Sequence, residues 1–183
     1  MPKADDVVKQ ARIKAATENK SIFLIFGASW CEPCHQMNSF LAARDIAPIF
    51  GKYFVVARIA VGEVAGGHSE HDNPGSDSLM MRYGGVISSG EASLPFIVLL
   101  DSKAKLIVNS KRPLKGNSVA GIGFPTEPEE ITWFLTMLRK AAPAILPAEI
   151  HTVQEGLRKF AVQRHEPKTL MFAKLESCRW LTH

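Results

Sequence analysis

The sequence predicts an α/β fold in which helices flank both faces of a central mixed sheet, followed by a C-terminal helical extension. Three observations lead there. Ser21-Ile22-Phe23-Leu24-Ile25-Phe26 is a continuous apolar run of β-forming residues, the pattern of a strand covered on both faces. Phe96-Ile97-Val98-Leu99-Leu100 and Leu106-Ile107-Val108 flank the polar stretch Asp101-Ser102-Lys103-Ala104-Lys105, as the arms of an antiparallel hairpin do. Around these strands lie segments with apolar residues at helical spacing, so sheet and helices must cover one another.

Each element has its own signal. Residues 5–17 place Val8, Ala11, Ile13, Ala15 and Ala16 among Lys, Arg and Gln, a modest amphipathic helix pattern. After the first strand, Met37, Phe40 and Leu41 recur at helical spacing, so Cys31 falls where a strand hands over to a helix N-terminus. Residues 53–61 read as a second strand, followed by a loop from Gly62 to Gly75 rich in Gly, His, Asp and Asn. A short helix over 76–83 is closed by Gly84-Gly85. Beyond the hairpin, Thr126-Glu127-Pro128-Glu129 reads as a capping box with an early proline, opening a helix to about Ala142. Residues 1–142 are expected to form the main domain, and 143–183 an extension with a helix over 149–163 and a mixed tail. Trp133 and Phe134 are read as core.

Composition narrows the functional classes. The 183 residues are 46% hydrophobic and 22% charged, ordinary values for a chain able to bury one good core. No apolar run approaches the roughly 20 residues that a membrane-spanning helix needs. The charge of +4 is spread along the chain without a dense basic run or interleaved aromatics, which argues against nucleic acid as a partner. The first residues, Met1-Pro2-Lys3-Ala4-Asp5-Asp6, lack the apolar stretch of a secretory signal. A cytoplasmic protein and a trimmed exported one are both compatible with that beginning. Three cysteines cannot build a multi-disulfide framework, and Cys31 and Cys34 stand at redox or metal spacing, with Cys178 left over.

The segment Phe26-Gly27-Ala28-Ser29-Trp30-Cys31-Glu32-Pro33-Cys34 resembles the active-site segment of the thioredoxin superfamily: strand, Trp-Cys-x-Pro-Cys, helix. Pro95, in Ser93-Leu94-Pro95-Phe96, stands where that family has its cis-proline, and the resemblance covers roughly Asp5 to Ala142. It is to the larger bacterial members, because residues 62–75 and 110–125 are longer than thioredoxin needs. The resemblance implies a thiol-disulfide oxidoreductase acting on protein disulfides or dithiols, with an unidentified electron donor or acceptor and no cofactor. Cys31 would be the exposed nucleophile and Cys34, lying deeper, would resolve the mixed disulfide. Trp30 would form an apolar shoulder, Pro33 would stiffen the first turn, and Leu94 beside a cis Pro95 would pair with an extended substrate segment. Pro95 would also deny a metal access to the cysteines.

The chain departs from thioredoxin proper in two places. Ile25 stands where thioredoxin has a buried Asp that helps move protons. Glu32 puts a carboxylate beside the nucleophile, which opposes a thiolate, whereas a protonated His35 would favour one. These departures motivate a competing expectation, a binding module that keeps the fold without the chemistry. Cys31 to His35 also fits covalent haem attachment, and His68 with His71 could complete a zinc site. Haem attachment leaves the strand before Trp30 and the placement of Pro95 as coincidences, and zinc requires neither Pro33 in the turn nor Trp30 before it, so no metal or haem is expected.

Overall fold

The uncharged run that begins at Ser21 becomes the middle of the molecule. A computed structural model of the chain describes residues 1–63, 69–86 and 94–165. In order, the elements are α1 (Ala4–Glu18), β1 (Ser21–Gly27), α2 (Glu32–Ala42), α3 (Ala47–Tyr53), β2 (Phe54–Ala60) and α4 (Ser76–Arg82). Then come β3 (Phe96–Leu100), β4 (Leu106–Asn109), β5 (Lys111–Pro113), β6 (Val119–Gly121), α5 (Pro128–Ala141) and α6 (Pro147–His165). Among the described residues, four strands form a mixed sheet in the order β2-β1-β3-β4, and β5 and β6 form a separate ribbon.

β1 runs parallel to β2, from Ser21 opposite Phe54 to Gly27 opposite Ala60, and antiparallel to β3, with Phe26 opposite Phe96. Because side chains alternate across a strand, β1 feeds two cores. Phe23 and Ile25 join Ile97 and Leu99 beneath α2, α3, α5 and α6. Ile22, Leu24 and Phe26 join Val98 and Leu100 beneath α1 and α4. Both faces of the sheet are therefore covered, as the apolar run predicted. No helix among the described residues is long and apolar enough to cross a membrane.

Helix α6 is built into the first of these cores. Ile150, Val153 and Leu157 are buried there, and the ring of Phe160 stands 5.8 Å from that of Phe40 and 5.9 Å from that of Phe124. A second clasp holds α6 to α3: the Tyr53 hydroxyl donates to Glu149 at 2.6 Å, and Lys52 reaches the other carboxylate oxygen at 2.9 Å. The tail beyond residue 165, with Cys178, lies outside the described residues.

Three local features differ from the sequence expectation. Helix α3 was not foreseen, because a seven-residue helix with Pro48 in its first turn offers neither a long apolar period nor a clean start. The β5–β6 ribbon was not foreseen either: its strands are three residues long and one contains Pro113, as edge strands tolerate. The capping box of α5 lies one residue further along than expected. Glu127 is the N-cap, and the Glu130 carboxylate accepts from the Thr126 and Glu127 N–H groups at 3.0 and 3.1 Å. Pro128 sets this register, since proline suits the first helical position and leaves the residue before it as the cap. Gly84, at φ 87°, closes α4 in the left-handed region that glycine adopts freely.

Truncating Leu157 to Ala is expected to cost about 3 kcal/mol in urea unfolding, the usual loss for a buried leucine that leaves a cavity. An unchanged midpoint would mean that α6 does not belong to the cooperative core. The hydrogen bond from Tyr53 pulls the Glu149 carboxyl from 4.5 down to about 2, helped by Leu146 N–H and Lys52 and opposed by burial. A depressed acid stabilises above its unfolded value and loses that contribution as pH falls through its folded one. The melting-temperature gap between the native chain and Glu149→Gln should therefore be full above about pH 5 and close towards about pH 2.

Candidate active site

Parallel pairing brings the C-terminal ends of β1 and β2 to the same edge of the sheet, where both strands run out into polar turns. After Gly27 the chain turns tightly, with Cys31 N–H donating to Ala28 O at 3.2 Å, and delivers Cys31 as the N-cap of α2. Pro33 stands in the first turn of that helix, and Cys34 N–H donates to Cys31 Sγ at 3.3 Å. The two sulfurs are joined in a disulfide with Cα atoms 5.2 Å apart. When the pair is reduced, the free N–H groups and the dipole of α2 favour negative charge on Cys31.

The expectation that Cys31 is the exposed member of the pair is corrected. Cys31 is 3% and Cys34 6% exposed, both packed with Ala28 and Leu94. What distinguishes them is the side on which each opens. Cys31 lines a cleft of about 430 Å³ together with Trp30, Glu32, Pro33 and Leu94 and with the segment Gly121 to Phe124. Cys34 lines a cavity of about 210 Å³ with Ser29, His35, Asn38, Arg58 and Glu63.

The remaining expected residues differ in how they stand to these two spaces. Trp30 is half exposed, and its indole N–H donates to Gly62 O at 2.9 Å. The Leu94–Pro95 peptide is cis, with Leu94 on the cleft and Pro95 buried and not part of its lining. Ile25 sits in the core. His35 is folded back onto its own loop: Nε2 lies 2.7 Å from Ser29 O, and because a carbonyl only accepts, that nitrogen carries the hydrogen. Trp133 is partly buried against the core and Phe134 fully so. Among the described residues, no group of three or more His, Cys, Asp or Glu could hold a metal ion. His68 lies outside the described residues.

Two parts of the site escaped the sequence reading. The part of the cleft lining from Gly121 to Phe124 comes from the ribbon end, held by Ile122 N–H donating to Ser110 O at 3.1 Å while the Ser110 hydroxyl accepts from Ile97 N–H at 3.0 Å. The excess length of residues 110–125 was the available signal. The other is Glu63, only 3% exposed, whose carboxylate accepts from Ser29 N–H at 2.7 Å and the Ser29 hydroxyl at 2.6 Å. Its own N–H donates to Asp72 Oδ1 at 3.1 Å. Its signal is positional, since residues just after β2 emerge beside those just after β1.

A family model described as thioredoxin-like matches residues 4–102, more than half of the chain and including the cysteine pair. The chain belongs to the thioredoxin-like family. A search of curated proteins finds no match for this thioredoxin-like chain. Among solved structures, a disulphide isomerase from Xylella fastidiosa Temecula1 is 25% identical, covering 58% of this chain and 72% of that one, with a TM-score of 0.47. A thioredoxin from Thermus thermophilus is 23% identical over 72% of this chain and 80% of that one, with a TM-score of 0.43. A structure described as a DsbH oxidoreductase is 14% identical over 73% and 79%, with a TM-score of 0.42.

Gly27 explains how closely the thioredoxin-like helix packs on its strand: a Cβ there would lie 3.0 Å from Cys34 Sγ and 3.4 Å from Cys34 Cβ. Gly27→Ala is expected to lower stability by roughly 1–3 kcal/mol, as overpacking a filled site does. The urea midpoint measures it, and a midpoint equal to the native one would show that Cys34 moves aside freely.

Proposed function

We propose that this protein is an oxidoreductase exchanging disulfides with protein substrates through Cys31 and Cys34. The observation that carries the reading is a disulfide-bonded pair at a helix N-terminus whose first member opens into a cleft. Membership of the thioredoxin-like family supports it. Cys31 attacks a substrate disulfide and becomes joined to one substrate sulfur while the other leaves as a thiolate. Cys34 then attacks Cys31 Sγ, the substrate sulfur leaves, and the internal disulfide re-forms with the substrate reduced by two electrons. An external dithiol or its oxidised counterpart resets the pair, and the compartment's redox poise decides the direction.

Trp30, Pro33, Leu94 and Pro95 are assigned to substrate binding. Trp30 offers half of its indole to solvent beside Cys31, a broad apolar surface that ranks no side chain above another. Leu94 provides main chain at the cleft edge against which an extended segment can pair, with Pro95 packed behind it.

The test is reduction of a generic protein disulfide with dithiothreitol as donor. The native chain should catalyse it, Cys31→Ser should return the rate to that of the donor alone, and Cys34→Ser should accumulate a mixed disulfide visible on a non-reducing gel. Equal rates for the native chain and Cys31→Ser would discard the enzyme in favour of a partner-binding role for the fold.

A further inference from the structure

Cys34 cannot attack as a thiol: the nucleophile in disulfide exchange is the thiolate, so its proton must first go somewhere. The strand beneath it offers no acceptor, because Gly27 has no side chain and Ile25 is apolar and buried. The cavity on which Cys34 opens does offer one. Glu63 lines it, and it is the only buried carboxylate among the described residues. Burying a carboxylate is costly unless it is paired or hydrogen-bonded. Among the described residues no cation lies within ion-pair distance of Glu63, and its side-chain partners are the N–H and hydroxyl of Ser29. Two donors leave some of its roughly four acceptor positions open, and the cavity volume of about 210 Å³ has room for several waters at about 30 Å³ each.

We propose that Glu63 is the proton acceptor for Cys34, working across this cavity. The inference rests on the thiol-disulfide exchange proposed above. In the resolving step the Cys34 proton passes to the Glu63 carboxylate through water in the cavity. The thiolate forms its bond to Cys31 Sγ, the bond from Cys31 to the substrate sulfur breaks, and the substrate leaves with that electron pair. Glu63 then returns the proton to solvent, and in the reverse direction it supplies one to Cys34. The placement is strict, because Ser29 binds both carboxylate oxygens and Asp72 holds the Glu63 main chain. The other charged or titratable groups facing Glu63 are His35 on α2, Arg58 on β2 and Asp72 on the loop. His35 donates through Nε2 to Ser29 O, which folds its ring back onto its own loop, and Arg58 donates to Asn38 Oδ1 at 2.8 Å.

Reduced protein carrying Cys178→Ser, which removes the third thiol, is mixed with dithiobis(nitrobenzoate) to separate the two chemical steps, since each then releases one coloured thiolate. Attack by Cys31 releases the first and resolution by Cys34 the second. Glu63→Gln should leave the first phase intact and slow the second at least about tenfold near neutral pH, within the range of general base catalysis. The slowed phase should regain speed about tenfold per pH unit up to about 8.5, where a free thiol ionises unaided. A second phase equal to the native one would overturn the proposal. So would equal slowing of both phases with an unchanged pH profile, which marks a structural role. Should Glu63→Gln not fold, the native second phase decides: a rise much shallower than tenfold per unit between about pH 6 and 8 supports an internal acceptor, and a full tenfold rise excludes it. Absence of a first phase in the native protein would instead remove the exchange reading itself.

Discussion

The structure depends on β1 being paired on both edges and covered on both faces. A strand without charged side chains cannot face water on either side, so helices must be recruited above and below it. Its alternation then assigns partners: Phe23 and Ile25 bind one set of helices to the sheet, and Ile22, Leu24 and Phe26 bind the other. Full burial of each such side chain is worth about 1.5–3 kcal/mol, so this one strand anchors a large share of the net stability of a domain. The rest of the chain is arranged around its direction and its end.

That end is also where the chemistry is placed. The parallel register with β2 carries Gly27 opposite Ala60, so the turns that follow both strands meet. One turn delivers Cys31 and Cys34 on α2, and the other delivers Glu63 and the Gly62 carbonyl that holds Trp30. A rigid sheet thereby fixes groups from two distant stretches of sequence to within hydrogen-bonding distance. The two sulfurs, although bonded to each other, face different surroundings: a wide cleft beside Trp30 and Leu94 for one, and for the other a small, largely apolar cavity into which Glu63 is set. On the proposed exchange, an attacking and a resolving sulfur require different surroundings, and this arrangement supplies them.

The additions beyond the basic sheet have separate roles in this frame. Helix α6 extends the aromatic cluster of Phe40, Phe124 and Phe134 through Phe160 and is clasped to α3 by Glu149. It supports α2 from behind, since Phe40 belongs to the helix that carries the cysteines. The ribbon of β5 and β6 runs into the segment that lines the cleft from Gly121 to Phe124, so it shapes what can approach Cys31.

Much of this was legible in the sequence where the signal is local. Continuous apolar character placed β1, and the hairpin arms around Asp101 placed β3 and β4. Helical spacing after Trp30 put Cys31 at a helix start, and Pro95 with the Trp-Cys-x-Pro-Cys segment pointed to the family. Short elements with polar or proline-containing strands, such as β5, carry too little period to be read, because their conformation is imposed by what they pack against. Glu63 carries no local signal at all. It is a loop glutamate until parallel pairing sets it beside Ser29, and the equal burial of Cys31 and Cys34 likewise follows from Leu94 and Ala28 closing over them. The sequence by itself determined the strands of the main sheet, the cysteine pair and the kind of fold, through periodicity and spacing along the chain. Only the tertiary structure decided which side each sulfur faces and which acid stands near it, because those depend on contacts between residues far apart in the chain.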